Sequence, residues 1–137
     1  MAVSQALGGH GDQRAVLLTG DLNDTVQAAT TQLLQGPPGS EIGTRGFAQP
    51  DRGDPVRLWN LAALMPAGRD YSRINQGRQE LIDHILVSQA LVTPLTAVTA
   101  QAVIDAALPS IDPADPTGRR NEPSSDHAPV TATFTNL

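Results

Sequence analysis

The chain has 137 residues, of which 39% are hydrophobic and 3% aromatic, and a formal charge of −5 from 14 acidic side chains against nine basic ones, all arginine. That length allows one domain or part of one, and the absence of cysteine excludes disulfides, thiolate metal sites and a cysteine nucleophile. The acidic balance excludes holding a nucleic acid by bulk electrostatics, so a phosphate must be met locally, by a metal ion or a few placed arginines. No apolar run approaches the ~20 residues of a membrane span. The opening MAVSQALGGHGDQR lacks the basic and long apolar segments of a secretory signal. That favours a cytoplasmic location, with secretion left open for a longer parent.

In chain order, residues 2–8 carry a short helical pattern that Gly8-Gly9 ends. Ala15 to Thr19 is a continuous, partly β-branched apolar run, which predicts a strand buried on both faces. Asp24 or Thr25 is placed to cap a helix over 25–34, stopped by Gly36-Pro37-Pro38-Gly39. Residues 36–57 are rich in Gly, Pro and charge and read as a long surface loop. A helical turn is expected around Trp59, a short strand over 71–74 and a turn over 77–80. Leu81 to Val87 is the next clear strand, followed by a Thr- and Val-rich one over 95–103. Four prolines mark 105–125 as a second long loop, and alternation over 130–134 closes the chain as a strand. About four strands and two or three helices make a small mixed α/β layer, with helices enough to cover one face.

Three places put acid, amide or imidazole groups where a strand meets a loop. The first is Gly20-Asp21-Leu22-Asn23-Asp24. Strand alternation would aim Asp21 and Asn23 to one side, where a carboxylate takes a water's proton and an amide orients it. Read alone, the same residues describe an ordinary strand-end turn. The second is Ile82-Asp83-His84-Ile85: a carboxylate inside an apolar strand is costly unless paired, so Asp83 needs a donor. His84 should point to the opposite face, half-exposed. The third is Ser125-Asp126-His127-Ala128-Pro129-Val130, just before the last strand. His127 is the natural partner for Asp83, which would fix its tautomer and leave the other nitrogen for a phosphate oxygen. Asp126 then remains as a hard oxygen ligand suited to Mg²⁺ or Mn²⁺.

Taken together, the order and context of these motifs resemble the endonuclease/exonuclease/phosphatase superfamily, the metal-dependent phosphodiesterases of the DNase I and exonuclease III type. The matching segments are Gly20-Asp21-Leu22-Asn23, Ile82-Asp83-His84-Ile85 and Ser125-Asp126-His127-Ala128-Pro129-Val130, with Tyr71-Ser72 and Gly77 ahead of the second. The resemblance implies that Asp21, helped by Asn23, orients or deprotonates the attacking water. It implies that His127, held by Asp83, contacts the phosphate, and that Asp126 binds or orients the metal and its water. It implies an α/β fold (α+β) of four layers, α/β/β/α, with two mixed, mostly antiparallel sheets face to face. The family domain is about twice this length, and its first half supplies an Asn and a metal-binding Glu without counterpart here. The chain, 1–137, is therefore expected to be a single partial domain, the C-terminal half, weakly active or inactive alone.

The expected cofactor is Mg²⁺ or Mn²⁺ and the expected partner a phosphate ester, nucleic acid or small diester. A homodimer is expected, or pairing with the N-terminal half, through an open apolar sheet face carrying Val16, Leu18, Ile82, Leu86 and Val130. The competing expectation is a catalytically silent half-domain that uses that face to self-associate or bind a partner. Weaker signals are set aside: the glycosylation pattern Asn23-Asp24-Thr25, the adhesion-like Arg52-Gly53-Asp54, the pair Arg119-Arg120, and His10 in its Gly-rich turn. Trp59 reads as core rather than as a base-stacking platform.

Overall fold

A computed structural model describes residues 3–93, 97–104, 108–112, 114 and 125–135. Helix α1 (Val3–Leu7) leads to β1 (Leu17–Asp21), α2 (Ala29–Gln35), β2 (Trp59–Asn60), β3 (Arg73–Asn75), β4 (Arg78–Glu80), β5 (Asp83–Val87), β6 (Ala97–Ala102), β7 (Ser110–Ile111) and β8 (Val130–Thr135). The main sheet has the order β1-β5-β2, a second β4-β3-β7, and β6 and β8 form a two-stranded ribbon. Among the described residues every pairing is antiparallel except β3 with β7. The fold is thus mixed α/β with mostly antiparallel pairing, as expected.

Strand β5 is the centre of the main sheet, and its two faces are covered by different parts of the chain. The β1–β5 register sets Leu17, Thr19 and Asp21 opposite Val87, Ile85 and Asp83, and Leu18 and Gly20 opposite Leu86 and His84. Residues directly opposite one another share a face. Ile85 and Val87 pack with Trp59, Leu61 and Ala100, and against Val130, Ala132 and Phe134 of the ribbon. Leu86, fully buried, packs with Leu7 of α1 and Leu58, and against Val16, Leu18 and Leu34.

This corrects the single open face expected for Val16, Leu18, Ile82, Leu86 and Val130. Val16, Leu18 and Leu86 lie beneath the helices, Ile82 is buried, and Val130 belongs to the other cluster. The β6–β8 ribbon folds back over Ile85 and Val87 and supplies the second cover. Among the described residues β1 is one of the two outer strands of this sheet, and its Leu17 is 54% exposed. The expectation that this strand is buried on both faces is corrected on the same ground.

Several boundaries also move. Helix α2 begins at Ala29, not at residue 25, and its N-cap Ala28 makes no side-chain cap bond. The preceding backbone is held in other ways: the Val26 carbonyl accepts from the side-chain amides of both Gln32 (2.9 Å) and Gln35 (3.2 Å). The turn expected over 77–80 is shorter. Gln76 and Gly77 both have positive φ (49° and 75°), the requirement of a two-residue type I′ hairpin, so Arg78–Glu80 is free to pair with β3. The turn around Trp59 is a two-residue strand followed by a 3-10 turn, Leu61–Leu64. Most of 105–125 lies outside the described residues, Arg119 and Arg120 included; within it, Ser110–Ile111 forms β7.

The tripeptide Arg52-Gly53-Asp54 is a packing element. Asp54 is buried and accepts from Arg57 at 2.5 Å and from Gln89 at 3.2 Å. Arg57 in turn lies 4.3 Å over the Trp59 ring, and Phe47 meets that ring edge-on at 5.0 Å. Trp59 is core, as its apolar surroundings in the sequence imply.

Candidate active site

The site forms where the β1–β5 pair ends. Asp21 is the last residue of β1 and Asp83 the first of β5, and the register places them directly opposite one another. Their side chains therefore leave the sheet on the same face, where opposed like charges are destabilising unless a cation or a donor intervenes. The donor present is His127, from the loop that leads into β8. Its Nδ1–H donates to Asp83 Oδ2 at 2.8 Å, with the two side chains 24% and 23% exposed. Asp21, Asp83 and His127 each bring one potential ligand atom to within 4.8 Å of the others.

Two elements hold this arrangement. Ser72, fully buried, accepts from the backbone N–H groups of Ile82 and Asp83, at 3.3 Å each, through its hydroxyl oxygen. Its carbonyl accepts from Ala128 N–H at 2.7 Å. One residue thereby ties the start of β5 to the His127 loop, and the distance between Asp83 and His127 follows. Within the loop, Ser125 Oγ accepts from His127 N–H at 3.0 Å. The second element is the strand-end turn. Asp21 Oδ1 accepts from Asn23 N–H at 2.8 Å, and Asn23 adopts φ 53°, a left-handed conformation that Asn tolerates better than most residues. The strand has ended at Asp21, so alternation does not govern Asn23. A backbone turn brings it beside Asp21 instead.

His84 is not half-exposed, as the sequence led us to expect, but buried at 2%. Its Nδ1 accepts from Asn60 Nδ2 at 3.2 Å and its Nε2–H donates to the Asp24 carbonyl at 2.8 Å. The imidazole lies on the helix-covered face and pins the turn that carries Asn23 and Asp24. The Asp24 carboxylate accepts from the Thr30 hydroxyl, across the start of α2.

Of the five residues singled out in the sequence, Asp21, Asp83 and His127 come together. Asn23 adjoins them through its backbone bond to Asp21. Asp126 is half-buried beside His127 and is not among the three whose ligand atoms converge. Ser72 was visible only as a neighbour of Tyr71 in the approach to β5. Nothing in residue type or spacing marks a serine that works through its carbonyl as well as its hydroxyl. His84 is held by β2 and by the turn at Asp24, which no local pattern around residue 84 reports.

The donor set is suited to a divalent cation. Two opposed carboxylates supply hard oxygen ligands for Mg²⁺ or Mn²⁺, and an imidazole suits Mn²⁺ better than Mg²⁺. With Nδ1 committed to Asp83, Nε2 of His127 is the nitrogen left for a ligand or substrate oxygen.

A family model described as the Endonuclease/Exonuclease/phosphatase family matches residues 3–127. No curated protein and no solved structure matches the chain.

Proposed function

The chain belongs to the endonuclease/exonuclease/phosphatase family, and on that premise we propose that it is a metal-dependent phosphodiester or phosphomonoester hydrolase acting through Asp21, Asn23, Asp83, Asp126 and His127. The observation that carries this reading is the convergence of Asp21, Asp83 and His127 within 4.8 Å at one sheet end. Mg²⁺ or Mn²⁺, when bound, neutralises phosphate charge and polarises the phosphoryl group. Asp21 takes a proton from the water whose oxygen attacks phosphorus in line with the departing ester oxygen. Asn23 orients that water. His127, its ring fixed by Asp83, donates from Nε2 to a nonbridging oxygen as charge builds there. Asp126, beside His127 but outside the converging three, would bind or orient the metal and its water from the loop.

Two or three protein ligands make a weak cage for Mg²⁺, which commonly binds one or two carboxylates plus substrate phosphates. The isolated chain is therefore expected to turn over slowly or not at all. The test is Mn²⁺ titration followed by electron paramagnetic resonance, with hydrolysis of bis-p-nitrophenyl phosphate alongside. One weak Mn²⁺ site, lost in Asp21→Asn and in Asp83→Asn, is the expected result. A Mn²⁺ affinity indifferent to both changes would overturn the reading.

The exposure of Leu17 on the outer strand favours a second reading, in which β1 is where this half-domain self-associates or receives an N-terminal half. Sedimentation at micromolar concentration is expected to show a dimer that Leu17→Lys weakens. An unchanged mass distribution in that variant would remove this role from β1.

A further inference from the structure

Asp83 is the first residue of β5 and His127 lies in the loop before β8, so the pair sits where sheet pairing runs out. Just beyond its two ends β5 bonds to β1: the Ile82 carbonyl accepts from Leu22 N–H, and Ser88 N–H donates to the Val16 carbonyl, both at 2.9 Å. Bonding alternates along an antiparallel pair, so the N–H of Asp83 points away from β1. On that side β2 pairs only with Leu86 and Val87, and no strand among the described residues meets Asp83. An N–H left without a partner away from water is costly. A strand's first residue without one is free to turn, and its carboxylate turns with it.

Ser72 fills that position. Its hydroxyl oxygen accepts from the N–H groups of Ile82 and Asp83, which spends both of its lone pairs. Its own N–H donates to the Glu80 carbonyl at 2.9 Å, and Arg73 grips the Glu80 carboxylate through Nε at 3.0 Å and Nη2 at 2.9 Å. The serine is thus seated on the β3–β4 hairpin and takes the part of a strand beside Asp83, while its carbonyl holds Ala128, the residue after His127. The far end of β5 has a counterpart. Ser88, also fully buried, accepts from Val16 N–H at 3.0 Å and donates its hydroxyl to the Arg14 carbonyl. The same chemistry closes the strand pair there, remote from the site.

We propose that Ser72 is a positioning residue of the Asp21–Asp83–His127 site, whose hydroxyl stands in for a strand neighbour and aims the Asp83 carboxylate at His127 Nδ1; the proposal rests on the hydrolase reading above. Ser72 is fully buried, so it acts through Asp83 rather than on a substrate or cation. Removing its hydroxyl releases the start of β5 while the carbonyl bond to Ala128 stays, so the two halves of the pair lose their common anchor. Ser88 has no such role, because the residues it holds, Arg14 and Val16, carry none of the groups of the site.

The test sets Ser72→Ala against Ser88→Ala in the intact chain. Each removes a buried hydroxyl that holds two backbone groups, so both are expected to lower the urea midpoint. Only Ser72→Ala is expected to weaken Mn²⁺ binding, at least about fivefold by electron paramagnetic resonance. A second readout needs no metal. Ring-nitrogen NMR at alkaline pH, where the imidazole is neutral, reports which nitrogen of His127 carries the proton. The proton is expected on Nδ1 in the parent and in Ser88→Ala, and to shift toward Nε2 in Ser72→Ala. Ser72→Thr returns the hydroxyl and is expected to recover both readouts. Should Ser72→Ala fail to fold, Ser72→Cys, close in size but a weak acceptor, carries the same expectation. An unchanged Mn²⁺ affinity or an unchanged Nδ1 proton in Ser72→Ala, or equal losses in Ser88→Ala, overturns the proposal and leaves Ser72 a packing residue. A parent chain that binds no Mn²⁺ counts against the hydrolase reading, and the ring-nitrogen readout alone then decides the role of Ser72.

Discussion

His84 and His127 are drawn from two motifs of one site, yet the fold treats them in opposite ways. His84 has both ring nitrogens bound to neutral groups, the Asn60 amide and the Asp24 carbonyl, and is cut off from solvent. His127 has one nitrogen on a carboxylate and keeps solvent on its side chain. A ring with both positions committed holds structure; a ring with one position free can act on a substrate. The two carboxylate–cation pairs repeat the contrast. Arg57 and Asp54 are sealed, with side chains 8% and 4% exposed, whereas Asp83 and His127 sit in the open beside a third titratable group, Asp21. Burial therefore separates framework from chemistry better than residue type does.

The sealed pair is the place to break that contrast most strongly. Asp54→Ala leaves the buried Arg57 with only its longer contact to the exposed Asp51 carboxylate, at 3.4 Å, and strips Gln89 of its acceptor. A loss of about 3–5 kcal/mol is expected in urea unfolding; a loss below about 1 kcal/mol would mean that the pair is not sealed in solution.

His84→Ala comes next, at about 2–4 kcal/mol, from lost packing and two stranded partners. Because the Asp24 carbonyl is freed, Mn²⁺ affinity at Asp21 should fall together with stability. His84→Gln can reach some of the same partners and should recover part of each. Recovery of stability alone would limit His84 to the core.

The open pair should behave in the reverse sense. A double-mutant cycle on Asp83→Ala and His127→Ala is expected to give a coupling energy below about 1 kcal/mol, as for other partly exposed pairs. Any hydrolysis the chain or its assembly shows should disappear in each single variant. Coupling of several kcal/mol would place this pair with the sealed one.

The smallest expected effect has the opposite sign. Asp21→Asn removes one of two opposed carboxylates and should raise stability by a few tenths of a kcal/mol in metal-free buffer. Mg²⁺ should then raise the melting temperature of the unchanged chain but not of the variant. A variant less stable than its parent in metal-free buffer would show that the two carboxylates do not repel, and that a donor already bridges them.

The three residues that converge, Asp21, Asp83 and His127, were legible in the sequence because their chemistry is out of place there. Asp83 interrupts an apolar strand and demands a donor, and His127 is that donor at 2.8 Å. Both β1 and β5 were legible from short apolar runs, although β1 starts two residues later and reaches Asp21. The type I′ hairpin was not, because positive φ at Gln76 is a cost that only pairing of β4 with β3 offsets. Nor was the shortened α2, whose first turn is displaced by amide bonds to Val26 and by the His84 bond to Asp24.

By itself the sequence determined which polar side chains are out of place in apolar surroundings, where the longer strands β1, β5, β6 and β8 lie, and that the pairing of Asp83 had to reach a residue 44 positions on. Local composition and the cost of an unpaired carboxylate are enough for that. Only the tertiary structure decided which face each group occupies. Register sets Asp21 opposite Asp83, Ser72 joins two distant backbones, and the β6–β8 ribbon covers the face that seemed to lack a partner. Those outcomes depend on which segments meet across long loops. A chain's local preferences do not encode that choice until the hydrophobic clusters on both sides of β5 are packed.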